Sequence, residues 1–200
     1  AGERDESPNP FTDYRFTVTF RHESGVPTYC VPGYFAADGN AAETSAERGT
    51  KWRAHLCPDK PGMWKYRVEF VEGPAIAVSD RKAGRAVAPP DGLSGSFRIL
   101  PTDKKGRDFR ARGRLRYVQR RYLQFAGSGE FFLKAGPDSP ETLLAYRDFD
   151  GTRAGKRQVP LKSWQPHVRD WKPGDPTWQN GKGKGLIGAL NYLAARGCNA

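Results

Sequence analysis

The sequence predicts an antiparallel β-sandwich followed by the first strand–helix unit of a barrel-like α/β domain. Three observations lead there. Across the first hundred residues, short alternating strands recur at intervals of roughly 8–20 residues between turn signals, without helical periodicity. The stretch Phe131–Tyr146 then opens on an apolar run, Phe131–Leu133, of the type a buried strand uses, and breaks at Gly136-Pro137. Its turn, pinned by Pro137 and Pro140, bears Asp138, Ser139 and Glu141, which is how parallel α/β proteins deliver polar groups to a ligand. Finally, Gly185–Arg196 has helical spacing, and the residues from Gly197 to Ala200 read as the start of a further strand. The implied division is a sandwich over 9–100, a basic junction and hairpin over 101–130, and an incomplete N-terminal part of a barrel over 131–200.

Taken in order, residues 1–8 are polar and loosely attached. Tyr14–Phe20 alternates, with Phe16, Val18 and Phe20 on one face and Arg15, Thr17 and Thr19 on the other. Ser24-Gly25 marks a turn. Pro27–Phe35 is a second strand, and Pro32-Gly33 within it argues for an edge position or a bulge. Asp38-Gly39-Asn40 is a loop, and the segment to Thr50 is an insertion or a short helical turn. Trp52–Leu56 puts Trp52, Ala54 and Leu56 inward. After the Pro58–Gly62 turn, Met63–Val71 aligns Trp64, Tyr66, Val68 and Phe70. Pro74–Val78 and Gly95–Leu100 supply two more strands. The aromatics of these strands are assigned to the core rather than to a sugar platform.

Charge is unevenly placed. The first hundred residues balance at 13 basic and 13 acidic, whereas the second hundred carry 20 against 9 and hold the whole net charge of +11. Lys104–Arg121 has nine basic residues and one acid, Asp108. Such a block marks either a polyanion site or a solvated connector, and the scarcity of interleaved aromatics and the lack of any recognised nucleic-acid motif favour the connector. Arg110, Arg112, Arg114 and Arg116 fall at period two, so a strand would set them on one face, toward solvent or toward acids on a part of the protein beyond this chain. Leu115–Tyr117 and Tyr122–Phe125 form a hairpin. No apolar run approaches the ~20 residues that cross a membrane. The lack of an initiator Met and an end soon after a helix are expected of a piece of a longer chain. Cys30 and Cys57 fit either one disulfide, contributing roughly 3–4 kcal/mol, or two buried thiols.

Asp148–Trp178 lacks periodicity and contains Trp164, His167, Asp170, Trp171, Asp175 and Trp178. An irregular loop of this length is usually functional or disordered, and its aromatic and carboxylate content favours function. Its tryptophans, with His and Asp, have the chemistry of a sugar pocket, where indoles stack on pyranose C–H faces and carboxylates bind hydroxyls. A loop stapled down by its own tryptophans is the alternative. Gly181-Lys-Gly-Lys-Gly185 lacks the Walker spacing and reads as a flexible lead into the helix, whose Leu186, Ile187, Leu190 and Leu193 form the apolar stripe.

The motifs Asn9-Pro-Phe-Thr-Asp13, Val31-Pro-Gly-Tyr-Phe35 with Asp38-Gly39, and Pro58–Tyr66 resemble the small β-sandwich domain of unknown function found ahead of glycoside-hydrolase barrels. Ser94–Phe97, Asp108-Phe109, Gly113–Leu123 and Phe131–Tyr146 resemble the junction and first strand of the barrels related to apiosidases. The resemblance implies an immunoglobulin-like sandwich packed on a (β/α)8 barrel, in a secreted or periplasmic enzyme whose complete barrel takes a carbohydrate. Its acid/base and nucleophile carboxylates are expected at later strands, so no catalytic residue is assigned within this chain. Neither a cofactor nor a metal is called for. Candidate substrate-binding residues are Asp138, Glu141, Trp164, His167 and Trp171, although Asp138 and Glu141 equally fit capping of the turn that follows. The rival readings are a carbohydrate- or protein-binding β module without catalysis, and a polyanion site at Lys104–Arg121.

Overall fold

A computed structural model describes residues 1–80, 84–106, 108–136, 143–155 and 160–199. The chain divides into two compact units, one of Ala1–Ala41 with Ala46–Phe132, the other of Ala42–Ser45 with Leu133–Ala200.

The first unit is β-rich and antiparallel. Strands β1 (Tyr14–His22) and β5 (Gly62–Glu72) form its centre, with β2 (Thr28–Pro32) on the outer side of β1. On the far side of β5 lie β6 (Arg85–Ala86) and β7 (Ser94–Ile99). The register sets Phe16 opposite Phe70, Val18 opposite Val68 and Phe20 opposite Tyr66, so the predicted inward residues share one face. Phe16, Val18, Phe20, Trp64, Val68 and Phe70 form the buried cluster. Each buried aliphatic or phenyl side chain there contributes about 1.5–3 kcal/mol. Trp64 is fully buried, and its indole N–H donates to the Lys60 carbonyl at 2.9 Å.

The expected interruption at Pro32-Gly33 is where the chain changes sheet. The Gly33 N–H reaches the Phe16 carbonyl at 2.7 Å, and a Cβ on Gly33 would collide with the Phe16 ring. Beyond it, β3 (Tyr34–Phe35) pairs with β4 (Trp52–Arg53), opposing Phe35 and Trp52. Trp52, Ala54 and Leu56 pack on the main core as expected, with Trp52 at 4.8 Å from Phe70, although regular pairing covers only Trp52–Arg53. Between β3 and β4 lies the short helix α1 (Ala41–Thr44). β2 is an edge strand.

Before the junction, one expected strand fails and one strand is found that was not expected. Residues Ile76–Val78 form a 3₁₀ turn rather than a strand. Asp13 explains why: its carboxylate accepts the Ala75 N–H at 2.9 Å and its carbonyl accepts the Gly73 N–H at 2.9 Å, curling the chain as it leaves β5. The carboxylate also accepts the Asn9 N–H at 2.9 Å, and that bond first, then the one from Ala75, holds the Asp13 carboxyl below its ordinary pKa. The second miss is β6, too short and too exposed to show alternation. Cys30 and Cys57 are exposed free thiols.

The junction carries its own small core. Phe109, Phe125 and Phe132 meet at 5.5–5.9 Å between ring centroids. β8 (Leu115–Arg116) and β9 (Gln124–Phe125) form the expected hairpin, Leu115 opposite Phe125. The arginines, however, share no common face. Asp108 caps the 3₁₀ turn Phe109–Ala111 by accepting the Arg110 N–H at 3.0 Å, and the Arg110 guanidinium pairs with the same carboxylate, holding it down at about 2. Arg114 turns inward: its guanidinium lies 4.3 Å over the Tyr29 ring, donates to the Tyr29 hydroxyl at 2.7 Å and pairs with Asp59 at 3.3 Å. Tyr29 in turn stacks on Trp64, so this one arginine fixes the junction to the sheet.

The apolar run Phe131–Leu133 forms no buried strand. Phe131 makes a single bridge to Gln124, and both it and Leu133 are exposed; only Phe132 finds a core. The second unit holds the longest described helix, α2 (Lys184–Ala195). It ends in a Schellman motif: Gly197 at φ 92° donates to the Ala194 carbonyl, and Cys198 N–H to that of Leu193. No described helix is long and apolar enough to cross a membrane.

Candidate functional site

The site grows from the way α2 is seated. Its buried positions are Gly185, Leu186, Gly188 and Ala189, while Leu190 of the expected apolar stripe is exposed. The two glycines decide this. A Cβ on Gly185 would collide with the Ser163 carbonyl oxygen, and one on Gly188 with that of His167. Without those carbons the helix lies backbone-to-backbone against the 3₁₀ helix Gln165–Asp170. Of the expected stripe Leu186 is buried and Leu190 is exposed, and the closest contact is made by a glycine face.

The lead into α2 is tightly packed rather than flexible. Gln179, Asn180, Gly181 and Gly183 all take positive φ, curling the chain back so that Trp178 and Lys182 bridge. Gly183, at φ 93°, leaves room for the Trp178 ring. That ring stacks on Phe149 at 5.5 Å and meets Tyr146 edge-on. Tyr146 is 2% exposed, and its hydroxyl donates to Asp148 Oδ2 at 2.7 Å. Asp148 also accepts the Gly183 N–H at 3.3 Å, which places a carboxylate at the positive end of α2. Burial first, then the bond to Asp148, pushes the Tyr146 phenol up to about 12. An occupying carboxylate argues against a phosphate cradle here.

Beside this corner opens a cleft of about 210 Å³, walled by Tyr146, Asp148, Ser163, Gln165, Arg147 and Lys184 among others. Lys184 lies 4.5 Å over the Trp171 ring, a cation–π contact that holds its ammonium group at the cleft. The walls thus offer a carboxylate, two cations, a hydroxyl and an amide: donors and acceptors suited to a polyhydroxylated ligand.

The predicted binding residues are placed as follows. Trp164, His167 and Trp171 bracket the 3₁₀ helix that forms one side of the cleft. Trp164 (φ 52°) precedes it and Trp171 ends it. His167 Nδ1 lies 2.9 Å from Asp170 Oδ2, with its ring 4.8 Å from Tyr192. The Trp171 indole N–H reaches the Pro176 carbonyl at 3.4 Å, whereas that of Trp164 is buried and has no partner among the described residues. None of the three lines the cleft itself; Trp171 reaches it through Lys184. Asp138 and Glu141 lie outside the described residues. Asn191 completes the corner, donating to the Asp170 carbonyl at 2.9 Å and to Asp175 at 2.7 Å. Asp175 is held below the ordinary carboxyl range by the Lys172 N–H and then by Asn191.

Sequence reasoning missed Tyr146, Asp148 and Lys184. A signal was present in Gly181, Gly183 and Gly185, where every second residue lacks a Cβ just ahead of a helix. That pattern marks close backbone approach as well as phosphate binding. Among the described residues, no group of three His, Cys, Asp or Glu side chains is disposed to hold a metal ion.

Residues 2–71 match the family model described as Domain of unknown function (DUF5060). No curated protein and no solved structure matches the chain.

Proposed function

We propose that the chain is the accessory β module, junction and first strand–helix portion of a secreted or periplasmic glycoside hydrolase. In this reading the module is an immunoglobulin-like sandwich, the second unit begins a (β/α)8 barrel, and its cleft binds part of a carbohydrate. The observation that carries the reading is the return of the chain after α2. Asn199 N–H donates to the Ala135 carbonyl at 2.7 Å, its Nδ2 donates to the Leu133 carbonyl at 2.9 Å, and Ala135 N–H donates back to Asn199 Oδ1 at 2.6 Å. A chain end returned by a helix to lie beside the Leu133–Ala135 segment, held there by one backbone bond and the Asn199 side chain, supports a strand–helix–strand unit in the making. The match of residues 2–71 to a domain of unknown function is consistent with the accessory role.

The described cleft lining brings one carboxylate, Asp148. Glycoside hydrolysis takes two carboxyl groups, about 5–5.5 Å apart for retention or 6.5–9.5 Å for inversion. Binding without turnover is therefore the expected behaviour of this chain. The test is incubation of the purified chain with xylo-, galacto- and arabino-oligosaccharides, scoring both binding and cleavage. Weak binding without products supports the reading, and release of reducing sugar by the chain alone overturns it.

One observation favours a binding module as the second reading. Tyr34, exposed on β3, stacks at 5.7 Å on His55 and hydrogen-bonds to it at 2.9 Å, a rigid aromatic surface within the matched region. Loss of glycan binding in Tyr34→Ala, with the cleft intact, would favour that alternative.

A further inference from the structure

The nine basic residues of Lys104–Arg121 do not form one patch. Lys104 pairs with Asp103, Arg110 with Asp108, Arg112 with Glu130 and Arg114 with Asp59. These four are neutralised where they stand. Arg116, Arg120 and Arg121 have no carboxylate partner among the described residues; Arg116 reaches only Gln124, and Arg121 lies 5.4 Å over the Tyr122 ring. All three belong to the β8–β9 hairpin or to its loop, residues 117–123.

The same loop exposes apolar surface. Tyr117 is 72% exposed and Tyr122 43%, with Leu115 and Leu123 exposed beside them in sequence. The aromatic interleaving that is sparse over the basic block as a whole is thus concentrated at its hairpin. Tyr122 shares its ring with a guanidinium, an arrangement that presents a flat face and a fixed charge together. The hairpin is anchored beneath by Phe125, buried against Phe109 and Phe132, so the loop is displayed on a packed base.

We infer that this hairpin is a docking site for a carboxylated polysaccharide, a polyuronate. Each uronate ring offers a C–H face for Tyr117 or Tyr122, and one carboxylate for the fork of Arg116, Arg120 or Arg121. A neutral glycan would leave the guanidiniums unused. A nucleic acid would draw on the charges, but three free arginines neutralise about three phosphates at most. The inference rests on the carbohydrate reading above for its choice of polymer, and extends it to a surface separate from the cleft of the second unit.

The experiment uses the full chain with oligogalacturonate, a neutral galacto-oligosaccharide of equal length and a short DNA duplex, each titrated at low and moderate salt. Oligogalacturonate is expected to bind best, with affinity falling about tenfold on Arg116→Gln, Arg120→Gln and Arg121→Gln combined. Tyr117→Ala with Tyr122→Ala leaves the net charge unchanged and is expected to weaken it about fivefold or more. These side chains are exposed, so an unchanged unfolding temperature verifies each variant. Oligogalacturonate binding that ignores both sets of substitutions, absence of such binding, or DNA binding of equal strength that ignores the tyrosines would each overturn the inference. Cleft binding is read separately, from the indole signals of Trp164 and Trp171, so failure at the hairpin and failure of the carbohydrate reading register on different residues.

Discussion

Substituting Gly188 by alanine tests the seating of α2, on which the cleft depends. Two effects of opposite sign compete. Replacing a mid-helix glycine by alanine ordinarily stabilises by about 0.5–1 kcal/mol through backbone entropy. Here the new Cβ would stand 1.8 Å from the His167 carbonyl oxygen and 3.1 Å from the Trp171 nitrogen. The first distance is more than 1 Å short of ordinary van der Waals separation, and both obstacles are backbone, so no side-chain rotation relieves them. The helix or the 3₁₀ helix beneath it must move, and overpacking of this kind costs about 1–3 kcal/mol or more. The net expectation is a loss of about 1–2 kcal/mol in urea unfolding, with faster amide exchange over Gln165–Asp170. Leu190→Ala, at an exposed position, serves as the control and should change stability by less than about 0.5 kcal/mol. A Gly188→Ala protein stabilised by the propensity increment would refute the glycine-face packing.

Two further outcomes follow from buried polar groups. The Tyr146 and Tyr29 phenols are both raised to about 12, by burial first and then by their bonds to Asp148 and Asp59. The folded chain keeps protons that an unfolded tyrosine releases near 10, so their contribution is intact below about pH 10 and is lost as pH rises through about 12. Phenolate absorbance should therefore show late-titrating groups, one of them removed by Tyr146→Phe and one by Tyr29→Phe; a titration curve that neither substitution changes above about pH 11 would contradict this. Arg114→Ala removes the cation paired with Asp59, whose side chain is only 16% exposed and keeps only the Tyr29 hydroxyl, and should destabilise by about 3 kcal/mol. Arg114→Lys, measured by the same unfolding curve, should recover only part of that loss, because an ammonium group does not stack in plane on Tyr29.

The first unit was legible because burial and period coincide in it. Phe16, Val18, Phe20, Trp64, Val68 and Phe70 sit where alternation put them, and the Pro32-Gly33 break falls where the chain leaves one sheet for another. Legibility fell wherever packing is made by the backbone or by side chains distant in sequence. Ile76 looked like a strand residue because nothing local announces that Asp13, far upstream, curls the chain there. The α2 stripe was misassigned because a leucine count ignores how closely a glycine face can approach. Arg114 was read as a solvent-facing member of a period-two row, whereas its partners, Tyr29 and Asp59, lie 85 and 55 positions away. Trp164, His167 and Trp171 were gathered around one 3₁₀ helix by their own short spacing, which the sequence displayed. The cleft walls Tyr146, Asp148 and Lys184 were hidden because the helix start joins segments far apart in sequence.

The most direct test of a saccharide-binding, non-hydrolysing second unit is an NMR titration of the ¹⁵N-labelled chain with the oligosaccharide panel, following the five indole N–H signals while the same samples are checked for cleavage products. The account predicts that Trp164 and Trp171 shift, that Trp52 and Trp64 stay still in the core of the first unit, and that the sugar is recovered intact. Shifts confined to Trp52 and Trp64, or shortened oligosaccharides in the tube, would contradict it.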